Sequence, residues 1–113
     1  MKKQSDLLIY NGRDCVNALK ALGEDNRVRI ICLLMDAPLG VCEIARRLGL
    51  TYYNVSKHLR ILREAGLLDL EKHGREHLYV VPERIRRGRA HTRVLDLGCC
   101  SFQFDQSPSH ILD

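Results

Sequence analysis

The stretch from Val41 to Gly66, VCEIARRLGLTYYNVSKHLRILREAG, limits the possible folds more than any other part of the chain. It holds two amphipathic segments on either side of Gly49-Leu50-Thr51. In the first, Ile44, Ala45 and Leu48 turn inward, and Gly49 stands where a helix closes in a C-cap. In the second, Thr51 is a good N-cap, Val55, Leu59 and Leu62 repeat at the i, i+4, i+7 spacing, and Gly66 is placed to end the run. Both segments are too short to bury their apolar stripes alone, so each must pack on the other and on a shared core. Downstream, LLDLEKHGREHLYVV alternates on both sides of KHGRE, which predicts a β-hairpin with its tip at Gly74. Two short helices, a tight turn and a hairpin make a winged helix-turn-helix.

Upstream, Leu7, Leu8, Cys15, Leu19 and Leu22 form a loosely helical pattern over residues 5–22 that Gly23 stops. EDNRVRIICLLMDAP starts with Asp/Asn-type caps and runs through Val28, Ile31, Leu34 and Met35 until Pro38 and Gly40 forbid continuation. It predicts a second helix, apolar almost all round and central. Past the hairpin, Pro82, Gly88 and Gly98 interrupt the chain; residues 83–87 read as a short helix and 93–104 as extended. The fold class is mainly α (α+β), a winged helix-turn-helix with a two-stranded β-hairpin wing. Residues 1–104 are expected to form one domain and 105–113 a flexible C-terminal tail.

Composition narrows the function. No apolar run approaches the roughly 20 residues of a spanning helix, and Asp6 and Asn11-Gly12-Arg13-Asp14 cut the N-terminal apolar stretch short of a secretory core. A cytoplasmic chain with no membrane partner is expected. The formal charge of +4 is modest, but its placement is informative: Arg46, Arg47, Lys57, Arg60, Arg63, Lys72 and Arg75 crowd one middle stretch. On the second helix of the pair, the face opposite the leucines carries Tyr53, Asn54, Lys57 and Arg60. Asn54 suits adenine and Lys57 guanine, while Ser56, Arg60 and the hydroxyls of Tyr52 and Tyr53 suit phosphates. Thr51 and His58 complete that helix's candidate set, Arg46 and Arg47 add to it from the preceding helix, and Lys72, His73 and Arg75 stand at the hairpin tip where a wing touches the neighbouring backbone. Double-stranded DNA is the expected partner.

The segment ALGEDNRVRIICLLMDAPLGVCEIARRLGLTYYNVSKHLRILREAGLLDLEKHGREHLYVV resembles the bacterial ArsR/SmtB family of winged-helix repressors, most closely at VSKHLRILREAGLL and ALGEDNRVRI. The resemblance covers more than half the chain. It implies a homodimer on an inverted-repeat operator, released when a metal, metalloid or thiol-reactive signal binds. An enzyme with Cys and His as nucleophile and base is a rival that the residues disfavour, since no Cys-His pair stands in a recognisable catalytic context and a domain this small leaves little room for a cleft.

Five cysteines, an odd number, point in a reducing compartment to ligation or redox chemistry more than to structural disulfides. The family's arsenic and cadmium sensors carry a Cys-Val-Cys core; the matching residues here are Gly40-Val41-Cys42, so one thiol of that site is missing. The zinc-type C-terminal site is not resembled either, since only His91 and His110 lie in the tail. Cys99-Cys100 remains, and soft thiolates select soft acceptors such as As(III) or Sb(III), the expected effector, with no organic cofactor. Adjacent side chains on a strand point to opposite faces, so joint ligation requires a kink, which Gly98 can supply. Cys15 is favoured as third ligand, Cys42 comes close behind, and either could come from the other subunit. Cys32, inside RIICLLM, reads as a core thiol. The main rival is a persulfide or redox switch linking Cys32 to Cys99 or Cys100; a protein-binding winged helix that never meets DNA is another.

Overall fold

The computed structural model describes residues 12–87 and 93–104. Four helices come first: α1 (Gly12–Leu22), α2 (Asp25–Leu34), α3 (Val41–Leu48) and α4 (Tyr52–Glu64). A hairpin follows, β1 (Asp69–His73) with β2 (Glu76–Val80), then a 3-10 turn (Glu83–Ile85) and a second antiparallel sheet of β3 (Arg86–Arg87), β4 (Arg93–Asp96) and β5 (Ser101–Phe104) in the order β3-β4-β5. This is a winged helix-turn-helix. Leu7 and Leu8, the terminal stretch 105–113, His91 and His110 lie outside the described residues.

The helix boundaries follow local chemistry. Glu24 caps α2 by accepting from the Arg27 amide at 3.1 Å, in place of an Asp or Asn. Thr51 caps α4 by accepting from the Asn54 amide at 3.1 Å. Gly49 ends α3 at φ +68°, a conformation any side chain would strain, and so sets the angle at which α4 leaves. Ile30, Ile31, Ile44, Val55, Leu59 and Leu62 are fully buried where α2, α3 and α4 meet, with Cys15, Ala18, Ala21 and Leu22 of α1 laid against them. Burying side chains of this size stabilises by about 1.5–3 kcal/mol each before entropy is counted.

The wing pairs Asp69 with Val80 and His73 with Glu76, with Gly74 at the tip as expected. Its base is tied to the segment before α3 by paired backbone bonds between Leu39 and Tyr79, at 3.3 and 2.8 Å. The tail is extended over 93–96 and 101–104, as its β-branched and aromatic residues predict. The helix expected over 83–87 is corrected: it stops after one 3-10 turn, because Arg86 and Arg87 pair with Leu95 and Val94. Two arginines fasten this sheet over the end of α2. Arg86 donates to the Met35 carbonyl at 3.2 Å, and Arg93, itself 5% exposed, donates to the Cys32 carbonyl at 3.0 Å and stands 3.4 Å from the Asp36 carboxylate.

Candidate functional site

Cys99 and Cys100 occupy the turn between β4 and β5. Gly98 adopts φ +90°, the Gly98 amide donates to the Asp96 carboxylate at 2.8 Å, and the Leu97 amide donates to the Cys100 carbonyl at 2.9 Å. The kink at Gly98 thus brings two neighbouring sulfurs onto one side, 3.7 Å apart. Cys15, on the buried side of α1, completes the group, and the three sulfurs lie within 4.8 Å of one another. Cys15 and Cys99 are in direct bonding contact across Cα atoms 6.5 Å apart, a span that a disulfide also bridges. Oxidised, the pair is a crosslink; reduced, it sets two thiols side by side, with Cys100 adjacent. All three sulfurs come from a single chain.

Cys42 stands apart from this group. It is exposed at the start of α3, in a cleft of about 710 Å³ bounded by Tyr52, Ser56 and the wing residues Glu76–Tyr79. Cys32 is buried on α2, as a core thiol should be, but it is not apolar packing alone: Arg93 donates to its sulfur at 2.9 Å. A second cavity, of about 290 Å³, opens beside Cys15 between α1, the C-terminal end of α4, the 3-10 turn and Leu97.

The outward face of α4 presents Tyr52, Tyr53, Asn54, Lys57 and Arg60 to solvent, with Ser56 half-buried. Tyr52 and Tyr53 remain 60% and 71% exposed, unusual for aromatics without a partner. The Lys57 ammonium lies 5.9 Å from the Tyr53 ring centroid, a cation-π contact that holds both side chains on one patch. Lys72 and Arg75 are exposed near the wing tip. Thr51 has a role in folding, because its side chain is the α4 cap.

Arg46 and Arg47 are exposed, but both lean on the Glu43 carboxylate one turn back, Arg47 through Nε at 2.7 Å. Hydrogen bonds from Arg46 and then Arg47 hold the Glu43 carboxyl below the usual range, and the Arg46 guanidinium is raised in turn by the hydrogen bond to Glu43. His58 points sideways: its Nδ1 lies 3.3 Å from Nη1 of Arg27, whose Nε donates to the Ala21 carbonyl at 2.6 Å. Sequence reasoning missed Arg27 and Arg93. For Arg93 a signal existed, since it shares the inward side of β4 with Leu95; for Arg27 there was none.

Residues 24–69 match the model of the family described as bacterial regulatory protein, arsR family. The chain is 35% identical over 71 residues to the transcriptional activator HlyU of Vibrio cholerae, covering 63% of this chain and 66% of that protein. A solved structure of HlyU from Vibrio cholerae superposes with a TM-score of 0.60 at 34% identity, covering 65% of this chain and 79% of that one. The chain belongs to the arsR family. Other arsR-family likenesses include a cadmium resistance regulator, a CadC homolog of Staphylococcus aureus, 32% identical over 66% of this chain and 62% of that protein. The solution structure of a homodimeric winged helix-turn-helix domain from Mycobacterium bovis, described as a possible ArsR-family regulator, matches with TM-score 0.59 at 25% identity over 72% of this chain and 71% of that one. The chain thus spans between about half and two thirds of the length of the curated relatives it matches. The span matched to the arsR-family model holds α2, α3 and α4; Cys15, Cys99 and Cys100 all lie outside it. Among the described residues no helix is long and apolar enough to cross a membrane.

Proposed function

We propose that this chain is a cytoplasmic, homodimeric DNA-binding repressor that leaves its operator when As(III) or Sb(III) binds the thiolates of Cys15, Cys99 and Cys100. The convergence of three sulfurs within 4.8 Å carries the reading. A trivalent metalloid takes three soft ligands in a pyramid, and As(OH)3 with three cysteine thiols gives three As–S bonds and three waters, the thiol protons leaving with the hydroxyls. Cys42 is not needed for this set.

On the DNA side, Asn54 and Lys57 read base edges, and Tyr52, Tyr53, Ser56 and Arg60 hold phosphates. Lys72 and Arg75 touch the backbone from the wing. Two α4 helices in a two-fold dimer would meet an inverted repeat about 34 Å apart along the duplex. Their cationic contacts make the affinity fall as salt rises.

The ligand must favour the off-DNA state by a coupling of about 1–3 kcal/mol. A short mechanical route is at hand for it. Cys15 and Ala21 share α1, Arg27 grips the Ala21 carbonyl, and Arg27 meets His58 on α4. Within this reading His58 serves the coupling of the thiol corner to the reading helix more than contact with DNA.

The test is an anisotropy titration on promoter DNA, challenged separately with arsenite, zinc, cadmium and polysulfide. Arsenite should release the wild type; Cys15→Ser, Cys99→Ser and Cys100→Ser should bind DNA normally and ignore arsenite. Unchanged arsenite response in all three would reject the site. A second reading has its own support. Arg93 donates to the Cys32 sulfur, and a cation there stabilises a thiolate, as a persulfide or redox switch linking Cys32 with Cys99 or Cys100 would need. It requires release by polysulfide that Cys32→Ser abolishes.

A further inference from the structure

The sheet β3-β4-β5 has two rims, and they differ. The β3 rim is two residues long and both are arginines, Arg86 and Arg87, a short charged edge of the kind that discourages further pairing. The β5 rim is Ser101-Phe102-Gln103-Phe104, and among the described strands it alone holds no charged residue. It has no proline either, and among the described residues no strand pairs with its outer side. Phe102 and Phe104 stand opposite Leu95 and Arg93 and pack against the core, yet both are only half-buried.

The backbone shows what the β5 rim offers. The Leu97 amide donates to the Cys100 carbonyl, so residues 97 and 100 form a hydrogen-bonded pair at the head of this hairpin. Such pairs alternate along an antiparallel ladder, which makes Leu95 with Phe102 and Arg93 with Phe104 the next hydrogen-bonded ones. Phe102 and Phe104 therefore turn their amides and carbonyls to β4, and Ser101 and Gln103 turn theirs outward. These outward groups are complementary to themselves. In an antiparallel pair centred on Phe102, Ser101 of one copy and Gln103 of the other exchange both bonds, and the two-fold repeats the exchange on the far side. Phe102 then faces Phe102 at a non-hydrogen-bonded position, where opposed side chains come closest. We propose that β5 is a docking edge for β5 of a second copy, joining two three-stranded sheets into one about a two-fold axis. This rests on the homodimer reading proposed above and names its contact; it uses none of the cysteines.

The test is sedimentation of the reduced full-length protein over a concentration series, with folding checked by circular dichroism. Gln103→Pro deletes an outward amide that β4 does not use, a change that an edge strand tolerates. It should weaken dimerisation by about tenfold or more. Should it fail to fold, Ser101→Lys combined with Gln103→Lys sets like charges opposite each other across the join and should weaken it similarly. Mixing that chain with one carrying Ser101→Glu and Gln103→Glu should restore the dimer. On the unaltered chain, amide exchange at Ser101 and Gln103 should slow as rising concentration drives dimerisation, while Phe102 and Phe104 stay protected in both forms. If the wild type dimerises and the folded variants do so equally well, the inference is overturned and the dimer forms through another face. The same follows if the Ser101 and Gln103 amides exchange alike in monomer and dimer, as they would with the chain's own terminal residues covering the rim. If the wild type stays a monomer throughout, the homodimer reading falls as well.

Discussion

The reading head, α3 to the wing, and the thiol corner, α1 with the β4–β5 turn, are held together in opposite ways. In the reading head nearly every boundary is a neighbour acting on a neighbour: Thr51 on Asn54, Gly49 ending its own helix, Glu43 against Arg46 and Arg47. In the thiol corner the decisive contacts join residues far apart in the chain, Cys15 to Cys99 and Arg93 to Cys32. Local rules make a rigid surface to present to a partner. Long-range ties make a corner whose geometry depends on how distant elements pack, and in the function proposed above that is where the effector acts.

Substitutions can break this contrast, and the largest effect is expected at Arg93. Arg93→Leu removes a buried donor to the Cys32 carbonyl and the cation beside Asp36, which should cost about 2–4 kcal/mol in urea unfolding, with the Asp36 share reduced by its exposure. Arsenite affinity should fall with it, because the β4–β5 turn loses its anchor; intact affinity would mean that the corner is held by something other than Arg93. Next comes Thr51→Ala, expected to cost about 1 kcal/mol. It should lower operator affinity without touching arsenite stoichiometry measured by mass spectrometry.

The smaller effects sharpen the contrast. Arg27→Met should leave both arsenite affinity and operator affinity within about threefold while reducing the coupling between them, read as the ratio of operator affinities with and without arsenite. Cys42→Ser should change neither quantity. Least of all, Arg46→Ala should let the Glu43 carboxyl rise toward its ordinary value in a side-chain NMR titration. Since that carboxyl is lowered in the folded chain, its ion pairs contribute above the ordinary glutamate range and are lost as pH falls through the lowered value. The groups are solvent-exposed, so unfolding midpoints should barely move.

The same division explains how much of the molecule is legible in its sequence. The α4 stripe of Val55, Leu59 and Leu62, its Thr51 cap and the Gly74 hairpin tip are legible because periodicity and capping act over a few residues. The kink at Gly98 is legible for the same reason. The meeting of the vicinal pair with Cys15, in place of Cys42, is no more than favoured by the residue pattern, because it depends on how α1 lies against a strand more than eighty positions later. The end of the 83–87 helix after one turn is likewise a tertiary effect, the pull of β4 on Arg86 and Arg87. His58, with its candidate role on the DNA side, shows the limit of reading one helix alone: its neighbour Arg27 belongs to another element.

Cys15 and Cys99 are separated by 84 positions, so an atom bridging them encircles all four helices and the wing in one ring. Closing a ring of that size removes unfolded-state freedom equivalent to about 4.5 kcal/mol. On the proposed reading a guest seated there is a reversible staple, and the guest-bound chain should resist proteolysis better than the reduced, empty one.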